Sequence, residues 1–302
     1  MSNKTSSVVF ERIALIGIGL IGSSIARCIK RDGLANHVSV SARSQKSLDT
    51  AIELNFADSA TLDQKDSVKN ADLIIICSPV GTYSDIIQNI KSNLKLGAII
   101  TDVGSVKQAV IRDLEPHIPE GVHLVPAHPV AGTERSGPEA GFPELFEDRW
   151  CIITPTSQTD KKSIDQVTEF WKSLGSNIEI MEPEHHDLVM AMTSHLPHLI
   201  AYTIVGTATD LEKSLTNEVI KFSAGGFREF TRIAASDPTM WRDVFLNNRD
   251  AVLEMLQRFS EDITALQRAI RWGEGDTLHE LFSRTQEVRR GVIEAKQEKM
   301  YD

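Results

Sequence analysis

The stretch RIALIGIGLIGSSIARCIK (12–30) decides the fold. A short apolar run, RIALIGI (12–18), passes directly into GIGLIG (17–22), and a helical pattern follows without a break. Gly17 permits the tight turn, Gly19 lets the backbone approach a pyrophosphate, and Gly22 allows the helix to pack closely on the strand. Leu20 and Ile21 open that helix, whose free N–H groups and positive dipole end suit phosphate oxygens. G-x-G-x-x-G alone is a weak signal. Its strand–turn–helix setting makes dinucleotide binding the expected role, the alternative being a tight turn with no ligand. IALIGIGLIGSSIA (13–26) has the apolar character of a signal-peptide core, but the flanking Glu11-Arg12 is not net positive, so secretion is not expected.

Around this turn the chain alternates strand-like and helix-like segments. HVSVSA (37–42), DLIIICSP (72–79), AIITDVG (98–104), HLVPAHP (123–129) and WCIITPT (150–156) read as strands, with SLDTAIELNF (47–56) and TYSDIIQNIKSNL (82–94) among the helices between them. Such alternation predicts a parallel doubly wound sheet, whose ligands bind outside the carboxyl ends of the strands. From Pro183 the texture becomes helical with no further strand, and SDP (236–238) is a good helix start. The expectation is an α/β dinucleotide-binding domain over 1–182 and an all-helical domain over 183–302, with disorder in the first eight or so residues and after Glu294.

Composition narrows the partners. The 302 residues are 41% hydrophobic and 25% charged, ordinary values for a globular protein of about two domains. A formal net charge of −10 argues against nucleic acid and anionic membrane. No apolar run is expected to span a membrane. Cys28, Cys77 and Cys151 are scattered, which fits buried thiols in a reducing compartment and a cytoplasmic location.

Several segments carry chemistry. At the end of the second strand an NAD-binding domain usually places an acid for the ribose diol, but SARSQK (41–46) has Ala42, Arg43 and Ser44 there, with Lys46 near. An acid would repel a 2′-phosphate; Arg43 offers it a planar fork, so NADP is expected to be used better than NAD. The alternative is a solvated surface arginine. Ser78 and Pro79 close the strand-like run 72–79 and are counted with the cofactor residues; DVGSVK adds Asp102, Gly104 and Ser105 at the same edge. In PAHPVAGTERSG (126–137), His128 stands between two prolines and is held rather than floppy. His195 and His198, in SHLPH (194–198), share a helix face that Pro197 is expected to kink. With Glu184, His186 and Asp187 nearby they invite a metal, against which stand the lack of an H-E-x-x-H pattern and the proline; no metal is expected. FREFTRIAASDPTMW (227–241) offers Arg228 and Arg232 on one short face, one for an anion and one for solvent.

Taken together, GIGLIG, DVGSVK, AHPVAGTERSG, SHLPH and FTRIAASDPTMW, in this order from about residue 10 to 290, resemble the prephenate/arogenate (cyclohexadienyl) dehydrogenases of tyrosine biosynthesis. The resemblance implies a Rossmann-like domain followed by a helical dimerisation domain. It implies His128 as the group that accepts the ring-hydroxyl proton of the substrate, with Ser105 beside it. Arg232 matches the arginine that binds a substrate carboxylate, and His195 and His198 the pair lining the substrate pocket. Thr133 and Glu134 match polar residues of its wall, and Trp241 the tryptophan at its subunit boundary. The missing cofactor acid is the departure from the family habit. No mutase-like region and no regulatory domain are expected in these residues.

The chemistry suits the residue types. Hydride leaves a carbinol carbon while the hydroxyl proton goes to a neutral imidazole, and turnover is expected to rise with pH through an ionisation in the histidine range. Loss of carbon dioxide then restores aromaticity. β-Hydroxyacid and 6-phosphogluconate dehydrogenases share the general layout but rely on a lysine in the first long helix of the second domain; residues 184–208 contain none. A non-catalytic dinucleotide sensor would not need His128, Ser105, His198 and Arg232 together. Val252, Leu256, Phe259, Ile263, Leu266 and Ile270 form a heptad seam on the last long helix, which predicts a homodimer, packing within one chain's own bundle being the alternative.

Overall fold

A computed structural model describes residues 9–210, 218, 221–222 and 225–294, without the side chains of 292–294; both termini expected to be disordered lie outside the described residues. The first half is built in chain order from β1 (Phe10–Ile16), α1 (Leu20–Asp32), β2 (Ala35–Ser41), α2 (Gln45–Glu53), β3 (Ser59–Thr61), α3 (Gln64–Ser67), β4 (Leu73–Ile76), α4 (Tyr83–Ile90), β5 (Ile99–Asp102), α5 (Lys107–Leu114) and β6 (His123–Val125). All six strands pair in parallel in the order β3-β2-β1-β4-β5-β6. Helices cover both faces, which is why Leu73–Ile76 can be an unbroken buried run of apolar residues. The strand order reverses between β1 and β4, so the crevice for a ligand opens where the glycine-rich turn faces the end of β4.

The expected strand over 123–129 is two strands. Pro126 has no N–H to give to the ladder, so β6 ends at Val125 and the chain crosses into a second sheet. There β7 (Ala127–Pro129) pairs antiparallel with β8 (Trp150–Ile153), and β8 pairs parallel with β9 (Asn177–Ile180), α6 (Lys161–Ser173) lying between the last two in the chain. His128 therefore sits on a strand of the second sheet, and the strand expected at 150–156 belongs to this small sheet. Polar β3 and β9 carried no apolar run to mark them.

From Pro183 the first compact unit continues as helices: α7 (Pro183–Met190), α8 (Leu196–Thr209), α9 (Gly225–Thr231) and α10 (Pro238–Asn247), the last capped by Asp237, whose side chain accepts from the Met240 amide at 2.8 Å. Pro197 does not break α7 from α8. A π-helical turn over Ala191–His195 joins them, closed by the Leu196 amide donating to the Ala191 carbonyl five residues back. The joined helix, Pro183–Thr209, is long and apolar enough by length and composition to cross a membrane, contrary to the expectation that no run is. α7 packs on α5, and α10 on the turn at 80–82, within a compact unit that extends to Arg249.

The second compact unit is a pair of helices, α11 (Arg249–Trp272) and α12 (Gly275–Glu294), separated by Gly273 in the left-handed region at φ +70°. The heptad seam lies on α11, which is not the last long helix. Val252 on it is buried and Leu256, Phe259 and Leu266 half-buried, whereas Ile263 and Ile270 are exposed.

Candidate active site

The turn after β1 fits a dinucleotide. Gly17 has φ +96°, and a Cβ there would lie 2.9 Å from the Cys77 carbonyl carbon; one on Gly22 would lie 2.2 Å from the Gly17 oxygen. A Cβ on Gly19 would meet nothing within 4 Å, so the space above the turn is open. Gly19 is also the N-cap of α1, which has no side-chain cap and no acidic residue in its first turn. The amides of Leu20, Ile21 and Gly22 thus remain for an anion, and the Leu20 side chain itself is buried in the core. Across the crevice the Ser78 hydroxyl bonds that of Thr82 at 2.9 Å, and Pro79 starts the turn at 80–82. Arg43 is exposed and has no partner among the described residues; Ser44 caps α2, accepting from the Ser47 amide at 3.2 Å, and so fixes the loop that carries Arg43.

His128 heads a chain of buried groups that sequence reading did not join. Its Nδ1 is 2.8 Å from Nε2 of His186, and Nδ1 of His186 is 2.8 Å from Oδ1 of Asp187. The Asp187 carboxylate accepts the amides of Lys107 at 2.7 Å and Gln108 at 2.9 Å, so it caps α5 from another helix. These contacts set the tautomers. A carboxylate only accepts, so His186 donates from Nδ1 and keeps its lone pair on Nε2; His128 then donates from Nδ1, leaving its own Nε2 unprotonated. Burial holds the His128 imidazole well below its ordinary value, and the facing His186, Lys107 and His195 act in the same direction. An imidazole so placed keeps its neutral form to a pH below the ordinary histidine range.

Asp102 is not exposed to a ligand. Its side chain is fully buried: Oδ2 accepts from the Lys107 ammonium at 2.6 Å, the Gly104 amide at 2.8 Å and the Tyr83 hydroxyl at 3.4 Å, while Oδ1 accepts from the Ala127 amide at 3.1 Å. Gly104 is likewise buried, with its N–H taken by Asp102 and no room for a Cβ, so it shapes the loop rather than presenting an amide. Ser105, half-buried on the same loop, has a hydroxyl without a partner among the described residues.

The remaining expected residues divide. His195 is wholly buried, so it is not an open pocket wall. Asn248 Nδ2 donates both to the Asp187 carbonyl at 2.8 Å and to His195 Nδ1 at 3.0 Å, which leaves a hydrogen on His195 Nε2 with no partner among the described residues. Burial lowers its ionisation to about 4. His198 donates from Nδ1 to the Ser194 carbonyl at 2.8 Å and stacks on Trp241, centroids 3.6 Å apart. Trp241 is buried, and its indole N–H also lacks a partner among the described residues. Arg232 leaves one guanidinium N 2.9 Å from Glu134, in the loop that follows His128, and is otherwise exposed; Thr133 in that loop accepts the Arg135 amide at 3.2 Å. Among the described residues no group of three or more His, Cys, Asp or Glu gathers to hold a metal. Sequence reading missed Lys107 and Asn248, and saw His186 and Asp187 only as metal candidates; the adjacent H-H-D of helix α7 was the available signal.

Known proteins match along most of the chain. The model of the prephenate dehydrogenase nucleotide-binding domain matches residues 25–180, and that of the prephenate dehydrogenase dimerization domain matches 182–284. Cyclohexadienyl dehydrogenase of Zymomonas mobilis is 43% identical over 281 residues, covering 93% of this chain and 96% of its own. Prephenate dehydrogenase of Bacillus subtilis is 33% identical over 283 residues, 93% of this chain and 76% of its own. Among solved structures, prephenate dehydrogenase of Aquifex aeolicus in complex with hydroxyphenyl propionate and NAD+ superposes with a TM-score of 0.87 at 33% identity, over 96% of this chain and 100% of that one. Synechocystis arogenate dehydrogenase gives 0.77 at 26% identity, over 93% and 99%. A glycine turn built for a dinucleotide, a buried histidine with a free Nε2 and matches of this extent lead to one conclusion: the chain belongs to the prephenate dehydrogenase family.

Proposed function

We propose that this protein catalyses oxidative decarboxylation of prephenate, of arogenate or of both, to 4-hydroxyphenylpyruvate or tyrosine, with NADP favoured over NAD. The observation that carries the reading is the His128–His186–Asp187 chain, which leaves an unprotonated nitrogen on a neutral, buried imidazole. His128 Nε2 takes the proton of the ring hydroxyl, and Ser105 hydrogen-bonds the same oxygen. Arg232 binds a substrate carboxylate, helped by Thr133 and Glu134 of the neighbouring loop; His198 and Trp241 supply a flat wall, with His195 set behind as a neutral donor. Gly17, Gly19 and Gly22, with the first amides of α1, hold the dinucleotide, which when bound accepts the hydride. Carbon dioxide leaves from the quaternary carbon and the ring becomes aromatic. In this reading residues up to 182 bind the dinucleotide, and those from 183 complete the substrate site and pair two copies, in the cytoplasm. The test is steady-state kinetics with prephenate and arogenate against both cofactors; no reduction of either cofactor with either substrate would refute the assignment.

NADP preference rests on Arg43 and Lys46, exposed where an acid would repel the 2′-phosphate. A charge-assisted hydrogen bond contributes roughly 1.5–3 kcal/mol, less where solvent screens it. Arg43→Ala should therefore weaken NADP about tenfold and leave NAD unchanged. Equal loss for both cofactors, or a parent that favours NAD in kcat/KM, would show a merely solvated arginine.

The homodimer reading is supported by the exposed part of the α11 stripe, Ile263 and Ile270, and by Trp272 and Phe282 beyond it, all uncovered in a single chain. Light scattering at micromolar protein should give twice 33.5 kDa; a 33.5 kDa species alone would refute the dimer.

A further inference from the structure

Lys107 is fully buried, an unusual place for an ammonium. Its Nζ lies 2.6 Å from Asp102 Oδ2 and 2.6 Å from the carbonyl of Ala127, the residue before His128. Its backbone amide lies 2.7 Å from Asp187 Oδ1, at the far end of the histidine chain. Asp102, held by the same ammonium, accepts the amides of Ala127 at 3.1 Å and Gly104 at 2.8 Å, the latter next to Ser105. Stability is a weak general reason for such a pair, since apolar residues of similar volume often serve as well as a buried ion pair.

We propose that Lys107 is a positioning residue, whose ammonium and amide clamp both ends of the His128–His186–Asp187 chain and, through Asp102, the loop that carries Ser105. The inference rests on His128 being the base. It makes Lys107 the joint between the general base and the hydroxyl beside it, so that both meet the substrate oxygen in one geometry. The charge acts as well. Groups facing His128 are His186 on α7, His195 on the π turn and Lys107 on α5, with Asp187 and Asp102 standing behind His186 and Lys107. Burial lowers the ionisation of Lys107 and Asp102 opposes that shift; a cation at this position makes protonation of His128 harder.

The experiment compares parent, Lys107→Met and His128→Asn enzymes, each saturated with cofactor. In Lys107→Met, kcat should fall about a hundredfold, the order of loss that a small misplacement of reacting groups causes. The substrate KM should hardly change, and the acid limb of the pH–rate profile should move up toward the ordinary histidine range. If Lys107→Met does not fold, the Asp102→Asn/Lys107→Met double variant should still lose kcat about a hundredfold, with the limb displaced in the same direction but by less, because the opposing Asp102 charge has gone too. An unmoved limb, or a loss confined to KM, overturns the positioning role, and failure of both variants to fold leaves Lys107 a purely structural residue. His128→Asn separates the two levels. If it is inactive while the Lys107→Met limb stays put, only the positioning role falls; if it stays active, the base assignment itself is wrong.

Discussion

Replacing His128 with asparagine should lower kcat by about 10²–10⁴-fold, the usual contribution of a general base, with little change in the substrate KM. The geometry gives this expectation its sharp form. Asparagine can still donate toward His186 Nε2, so the buried chain keeps a partner, but no basic nitrogen remains for the substrate proton. Cofactor affinity and the unfolding midpoint should change little. The pH dependence makes a second, independent readout. Burial depresses the His128 ionisation, so the neutral, competent form persists above that value and is lost as pH falls through it. The parent rate should therefore be flat from about pH 6.5 upward through neutrality and decline only below the ordinary histidine range, and the variant should lack that decline. A variant that kept a tenth of the parent rate would remove His128 from the reaction.

Arg232→Ala should raise the substrate KM by about ten- to a hundredfold while cofactor binding stays the same. The guanidinium already holds Glu134 at 2.9 Å on an exposed face, so the site pairs a cation with an anion before any ligand arrives. A substrate carboxylate has to compete with Glu134 and with water, which is why the lower part of that range is expected at physiological salt. Raising ionic strength should narrow the gap between parent and variant. Should titration place the loss in the cofactor dissociation constant, Arg232 would belong to the other site.

The two expectations differ in how far they could be read without a structure. Arg232 and His128 stand in local patterns, FTRIAASDP and AHPVAG, and their chemistry follows from side-chain type and from resemblance. What surrounds them does not. His186 reaches His128 across 58 positions, Lys107 reaches Asp187 across 80, and Asn248 reaches His195 across 53, separations that carry no periodic trace. Asp102 shows the same limit in reverse. Its place at the carboxyl end of a strand suggested a ligand contact, and only packing revealed that its oxygens are taken by the amides, ammonium and hydroxyl beneath the loop.

By itself the sequence determined the parallel sheet and its glycine turn, because periodicity of apolar residues and the steric demands of Gly17 and Gly22 are local properties of the chain. It also determined that long helices follow Pro183 and that an apolar stripe runs along 252–270. Tertiary structure alone decided that His128 lies on a second sheet. A proline can end a ladder, but what the chain pairs with next depends on β8 and β9, segments brought alongside by folding. It decided too that Pro197 follows a π turn instead of separating two helices, since a helix can meet a proline with a sharp kink or with a wider turn, and neighbouring packing chooses. The tautomer and protonation state of His128 were likewise a tertiary matter: both follow from desolvation and from which group sits 2.8 Å away, and those are properties of the assembled interior.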